Sequence, residues 1–265
     1  KYTDIWNDLT KKMGYWVDVD NPYISYTPKY MESVWWLLKE IYNKDLMYKG
    51  YTIQPYSPKA GTAISSHELN QPGTYQDVTD TTVTAQFKLK KEELPKFLNS
   101  DDDIFVLAWT TTPWTLPSNT ALTVGPKINY SLIKSFNQYT GLRADYIIAE
   151  DLISKQFSGN YYETSDLDEI NKYEFDSKQI PFLKISTFKG EDLENIQYEQ
   201  LLDYAKPFDN PENAFRIITG DFVTTSDGTG IVHTAPTFGA DDAFVAKNAK
   251  PPIPPMLVKD EFVDL

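Results

Sequence analysis

Cysteine is absent from the 265-residue chain. Disulfides, thiolate metal sites and a cysteine nucleophile are thereby excluded. Arginine is nearly absent too, with Arg143 and Arg216 the only two. Acidic residues number 38 against 25 lysines and arginines, for a formal net charge of −13. A large nucleic-acid footprint needs clustered cations, so any such contact is expected to be small and local. The two histidines, His67 and His233, are too few for a histidine-rich metal site. No run of eighteen apolar residues occurs, which excludes a membrane-spanning helix. The N-terminal stretch KYTDIWNDLTKKMGYW carries no cleavable signal pattern. A cytoplasmic protein with no membrane contact and no metal is the expectation.

Apolar residues make up 41% of the chain and aromatics 14%, enough to bury a substantial core. Residues 1–50 read as a helical connecting segment. Ile5, Leu9 and Met13 recur every fourth residue, and Gly14 is a stop. In the next helix Thr27 is placed to cap and Pro28 to open the first turn. Met31, Val34, Trp35, Leu38, Ile41 and Tyr42 form one stripe. Trp35 and Trp36 are adjacent and cannot both face the same core, so one of them is expected to pack against a neighbouring domain or to stay partly exposed.

From residue 51 the period changes from helix to strand. TVTAQFKL alternates Val83, Ala85, Phe87 and Leu89 on one face. DIFVLAWT, TALTV, NYSLIK, DYIIA and FRIITGDFV follow at spacings that imply a closed or nearly closed sheet. Short helices are expected at KEELPKFL, AEDLISKQF and DDAFVAKNA, and an exposed acidic excursion at ETSDLDEINKYEFDSKQ. The expected fold is α+β: a closed or nearly closed β-barrel over residues 51–249, decorated with helices and preceded by the helical segment. The KPPIPP stretch cannot be helix or central strand, so residues 250–265 read as a Pro-rich exit linker. The chain reads as cut from something larger.

Two stretches carry candidate chemistry. In WTTTPWTLPSN (Trp109 to Asn119) a strand ends in three threonines and two prolines follow. Threonine is β-branched and suits strands. Equally, a rigid loop rich in hydroxyls at a strand end suits a sugar hydroxyl or an adenine edge. Both readings stand on pattern alone. In GTGIVHTAPTFGADD (Gly228 to Asp242) a glycine turn leads into a strand that ends at His233, and Asp241 and Asp242 stand where a helix begins. One aspartate is expected to be the helix cap, which with the helix dipole would hold it ionised. The other would be a fixed negative charge beside a histidine, a receptor for an ammonium group. A lone histidine is otherwise a satisfied core residue. Ser65 and Glu68 have capping-box spacing. No dinucleotide fingerprint, phosphate loop or nucleophile elbow is present.

Together the two stretches resemble the signature regions of the editing domain of the isoleucyl-tRNA synthetase family, the connective peptide 1 domain of these class I enzymes. GYWVDVDNPYISYTPKYMESVWWLLKEIYNKDLMYKGY and QPYSPKAGTAISSHEL are similar to the same enzymes' entry into that domain. Valyl and leucyl relatives usually carry Thr-Thr-Arg-Pro where this chain has Thr111, Thr112 and Pro113. Ala60 departs from the family, which often has cysteine there, with no consequence expected for editing.

The resemblance implies hydrolysis of valine wrongly esterified to tRNA(Ile). One methylene is worth about 1–3 kcal/mol in an apolar pocket, a limit for which isoleucyl enzymes are themselves a reference case, so a second, smaller site has to discriminate. It implies that Thr110, Thr111, Thr112, Thr115 and Asn119 line a pocket for the terminal adenosine and the ester. Asp242 would hold the α-amino group, with Asp241 beside it, and His233 would border the side-chain pocket. Gly228, Thr229 and Gly230 would shape the wall behind. Thr112, His233 and Asp242 are the residues expected to carry catalysis, His233 either as base or as steric wall. The implied partners are the 3′ aminoacyl-adenosine end of tRNA(Ile) and the synthetic domain of the larger enzyme. No cofactor is expected in this chain. ATP and Mg belong to the full-length ligase, whose H-I-G-H and K-M-S-K-S signatures are absent here. The alternatives are a non-catalytic module that binds the tRNA acceptor end and a spacer that has lost editing.

Overall fold

A computed structural model describes residues 2–50 and 52–257. The chain divides into two compact units, one up to Thr52 and one from Ile53. In the first, α1 (Thr3–Lys12) ends as expected, with Gly14 at φ +82°. α2 (Pro28–Asn43) has Pro28 in its first turn, but Thr27 makes no side-chain cap bond. No residue of either helix is buried, and both Trp35 and Trp36 are largely exposed.

The second unit opens with a hairpin of β1 (Tyr56–Ser57) and β2 (Thr62–Ala63), then α3 (Ser66–Leu69). The capping box ahead of α3 is formed: Ser65 N–H donates to Glu68 Oε2 at 2.7 Å, and Glu68 N–H to Ser65 Oγ at 3.3 Å. β3 (Val83–Lys88), β4 (Ile104–Thr110), β5 (Ala121–Val124), β6 (Asn129–Phe136) and β7 (Arg143–Ala149) follow. Next come α4 (Ile153–Gln156), β8 (Tyr161–Glu163), α5 (Leu167–Asn171) and β9 (Ile180–Lys189). β10 (Arg216–Thr219), β11 (Ile231–Thr234) and α6 (Ala240–Asn248) complete the unit.

The expected barrel does not form. Six strands make a sheet in the order β3-β4-β7-β6-β9-β8, and three make another in the order β10-β5-β11. Closure requires the first and last strands to pair, which strand count and spacing do not specify. Here β5 leaves its sequence neighbours, pairing in parallel with β10 and antiparallel with β11. The fold is α+β with two mixed sheets, each keeping its edges. KEELPKFL is likewise not one helix. Pro95 splits it into 3-10 turns at Lys91–Glu93 and Lys96–Leu98, because a proline disfavours helix in the residue before it. The acidic excursion is pinned down by Ile170 of α5, buried against Phe136 and Ile180. In the Pro-rich segment Ile253 is buried with Ala121, Ile218 and Val245. Residues 258–265 of the expected exit linker lie outside the described residues.

The core lies between the sheets, with β6 buried at every position but Asn129. Across the β6–β7 ladder Lys134 Nζ meets the buried Asp145 Oδ1 at 2.8 Å, and it also pairs with Asp102. The turn before β11 is locked onto this core. Tyr130 O–H donates to the Gly230 carbonyl at 2.6 Å, and Ala149 N–H donates to the Thr229 carbonyl at 3.0 Å. Gly230 sits at φ +71°, and a Cβ there would stand 2.4 Å from Ala149 Cβ. Gly230→Ala therefore combines left-handed backbone strain with overpacking. It is expected to destabilise the chain by about 2 kcal/mol or more, read as a lowered urea midpoint at unchanged m-value.

Candidate functional site

The two motifs meet at a cavity of about 400 Å3 lined by Thr110, Thr111, Thr112, Thr115, His233 and Asp242. β4 delivers Thr110, and the chain then turns through the 3-10 segment Pro113–Ser118. Pro113 sits at the first position of that turn, where its missing N–H costs nothing. Side-chain bonds tighten the loop. Thr112 N–H donates to Thr110 Oγ1 at 3.0 Å, and Thr115 O–H donates to the Thr112 carbonyl at 2.8 Å. Thr111 and Thr112 are exposed at the mouth, while Thr110 and Thr115 are buried.

His233 forms the inner wall at the end of β11 and is 8% exposed. Its Nδ1 lies 2.9 Å from Asn119 Nδ2 and its Nε2 lies 3.0 Å from Thr115 Oγ1. Asn119 fixes the tautomer. Its Nδ2 donates to the Ala121 carbonyl at 2.8 Å, and its Oδ1 accepts from Tyr198 O–H at 2.6 Å. The amide can therefore face the ring only as a donor, so Nδ1 accepts and Nε2–H donates to Thr115. Both ring nitrogens are engaged within the protein. Burial pushes the imidazole down to about 4, so it is neutral at neutral pH.

Asp242 lines the same cavity from the first turn of α6. Neither aspartate is the helix cap, since Gly239 occupies that position and makes no side-chain bond. Gly239 has only a hydrogen where a Cβ would come 3.0 Å from the Asp242 carboxyl carbon. Asp242 Oδ2 instead accepts the Ala235 N–H at 2.8 Å, reaching back across the turn from β11. Burial raises the carboxyl above its usual value, against the lowering by that hydrogen bond, and Asp241 raises it further. Desolvation thus opposes the ionised form that the helix dipole favours and is the larger influence on this carboxyl. A raised carboxyl is one that gains from a cation arriving beside it.

The remaining sequence candidates lie elsewhere. Asp241 is exposed on α6 and does not line the cavity. Asn119 is buried behind His233 rather than at the surface of the pocket. Gly228, Thr229 and Gly230 are not in the lining either. Thr229 Oγ1 accepts the Trp109 N–H at 3.2 Å, and Gly228 packs under the Trp109 indole. Gly228 and Thr229 thus brace β4 and Gly230 packs on Ala149 of β7, in a turn with positive φ at both glycines. Pattern reading passed over Trp109, Trp114, Val232, Phe238 and Gly239, which do line the cavity. All five fall inside the two quoted motifs, so proximity in sequence was their only signal. Tyr198, which orients Asn119, had none.

The chain belongs to the class I tRNA synthetases, whose sequence profile, described as tRNA synthetases class I (I, L, M and V), matches residues 1–219. Within that class its similar relatives are isoleucine–tRNA ligases. The enzyme of Bacteroides fragilis is 56% identical over 97% of this chain and 22% of its own length. That of Cytophaga hutchinsonii is 56% identical over 98% and 22%, and that of Clostridium tetani 42% over 99% and 22%. The chain thus spans about a fifth of the length of these relatives. Among solved structures, the P. knowlesi cytosolic leucyl-tRNA synthetase editing domain superposes with a TM-score of 0.43 at 14% identity. The match covers 64% of this chain and 62% of that one, too loose a likeness to add to the sequence match.

The wiring of His233 has a measurable consequence. Its folded pKa lies below the unfolded value, so the unfolded chain binds more protons between about pH 4 and 6.5. Its contribution to stability is complete above that window and is lost as pH falls through it. Nitrogen-detected NMR of the two histidines is expected to show one ring neutral and Nε2-protonated at pH 6. A His233 that titrates near 6.5 contradicts the buried, doubly bonded ring.

Proposed function

We propose that the chain is the editing part of an isoleucyl-tRNA synthetase and hydrolyses the aminoacyl ester of Val-tRNA(Ile). The observation that carries this reading is the convergence of two distant motifs on one cavity, with a carboxylate facing a hydroxyl-rich loop. An aminoacyl ester is already activated, so water can attack it without a covalent intermediate. What the protein must supply is position and charge. Asp242 receives the α-ammonium group, which offsets the cost of burying the carboxylate. The exposed Thr111 hydroxyl meets the ribose end of the terminal adenosine, beside the Thr112 hydroxyl, which Thr110 Oγ1 holds at 3.2 Å. Thr110 and Thr115 hold the loop that presents them.

In this reading His233 is a neutral steric wall and not a general base. A base needs an unprotonated nitrogen facing the water, and both of its nitrogens are spent on Asn119 and Thr115. Valine fits beside the ring and isoleucine collides with it. The reaction requires no resident metal or cofactor; ATP and Mg would serve amino-acid activation in the full-length ligase. The acidic surface is compatible with a tRNA partner if only the aminoacylated 3′ end enters this pocket and other parts of the larger enzyme hold the rest. Cytoplasmic location is part of the same reading. Among the described residues no helix is long and apolar enough to cross a membrane.

The test is deacylation of Val-tRNA(Ile) by this chain and by the full-length enzyme that contains it. Asp242→Asn keeps an acceptor for the Ala235 N–H and removes a buried charge. It should melt no lower than the parent sequence, while deacylation falls about 10- to 100-fold, the worth of a hydrogen bond to a charged group. Binding of the tRNA without hydrolysis by the full-length enzyme would leave only an acceptor-end module. In a second variant, His233→Ala, enlarging the pocket is expected to expose correctly charged Ile-tRNA(Ile) to cleavage at least about tenfold faster. Full protection of Ile-tRNA(Ile) in a folded His233→Ala enzyme removes the wall role.

A further inference from the structure

A second cavity, of about 490 Å3, opens on the other face of the six-stranded sheet. The ladders place Thr84 opposite Trp109, Gln86 opposite Leu107 and Tyr146 opposite Phe105. Side chains alternate along a strand, so these residues share the face turned away from Thr110. Gln156 and Phe157 at the end of α4, Tyr161 at the start of β8 and residues 137–139 after β6 also line it. None of the described residues that line it is charged, although charged residues make up 24% of the chain.

The lining has unspent hydrogen-bonding capacity. Tyr146 is only 3% exposed, yet its hydroxyl has no hydrogen-bond partner among the described residues. It is not sealed off either, since it is absent from the buried, unpartnered atoms. Burial holds the phenol protonated, so it is a donor. The carboxamides of Gln86 and Gln156 are half-buried and likewise unpaired among the described residues. By contrast Tyr161 O–H is spent on the Phe136 carbonyl at 3.0 Å, and its ring stands edge-on to Phe157 at 5.2 Å. The cavity therefore pairs fixed aromatic walls with free amide and phenol groups.

We propose that this outer-face cavity is a binding site for an uncharged nucleobase, held between the aromatic walls and read along its edge by Gln86, Gln156 and Tyr146. A base is planar and neutral, and it offers donors and acceptors in one plane. Carboxamides recognise such an edge through paired bonds, and aromatic side chains stack on its face. Free amino acids are zwitterions and find no charge here, and a bound phosphate would find no cation in the lining. The base has two possible sources, a free nucleoside or an unpaired nucleotide of an RNA strand. The proposal is independent of the hydrolysis assigned to the first cavity, although Trp109 borders both.

Titration calorimetry and saturation-transfer NMR of the purified chain with adenosine, guanosine, cytidine and uridine, each to millimolar concentration, test it. At least one nucleoside should bind, and Tyr146→Phe, which keeps the ring, and Gln156→Ala should each weaken it about three- to tenfold. A short single-stranded RNA that binds more tightly than the nucleoside, and is weakened by the same two substitutions, identifies RNA as the source. The reverse order identifies a free nucleoside. The proposal is overturned if no nucleoside binds. It is overturned equally if binding survives both substitutions unchanged, because the ligand then sits elsewhere.

Discussion

The site hangs on one buried amide. Asn119 gives its two N–H groups to the Ala121 carbonyl and to His233 Nδ1, and its oxygen takes the Tyr198 hydroxyl. Each contact constrains the next. The Ala121 carbonyl decides which way the amide faces, the amide decides the tautomer of His233, and the tautomer sends a donor to Thr115. Thr115 in turn closes the loop onto the Thr112 carbonyl. A buried polar chain of this kind stabilises a structure only when every member is satisfied. Here each link is, so hydrogen bonds hold the loop that carries the exposed threonines.

The same chain separates two kinds of polar group in the pocket. His233 is neutral, with both ring nitrogens bonded inside the protein. Asp242 has the opposite character: one oxygen is committed to Ala235, and the carboxyl is raised by burial. Such a group gains most from a ligand that brings a positive charge. Arg143 is engaged with Asp102 and Asn171, and Arg216 with Asn195 and the Pro251 carbonyl. Both guanidiniums serve the fold.

Much of this was legible in the residues. The helix at Pro28, the stop at Gly14, the capping box at Ser65 and the strands from Val83 onward follow from local propensity and period, which depend on near neighbours. The pairing of WTTTPWTLPSN with GTGIVHTAPTFGADD was also readable as two halves of one pocket. The barrel was misread because alternation describes a strand's two faces and says nothing of its partners. β5 pairing with β10, nearly a hundred residues on, has no local signature. KEELPKFL was misread because its helical composition outweighed the proline inside it. The tight turn at Gly228 and Gly230 was legible too, but not what it packs on: Trp109 of β4 for Gly228 and Ala149 of β7 for Gly230.

The sequence by itself determined the class of the protein, the change from helical to strand period near residue 51, and the residue types available for chemistry: hydroxyls, carboxylates and one histidine after an apolar strand. Tertiary structure decided what each of those residues does. Which aspartate faces the cavity, which nitrogen of His233 carries the proton and whether Asn119 touches ligand or orients a neighbour all depend on contacts between segments over a hundred positions apart. Burial and hydrogen-bond partners set pKa and tautomer, and both are properties of the assembled interior rather than of any stretch of chain.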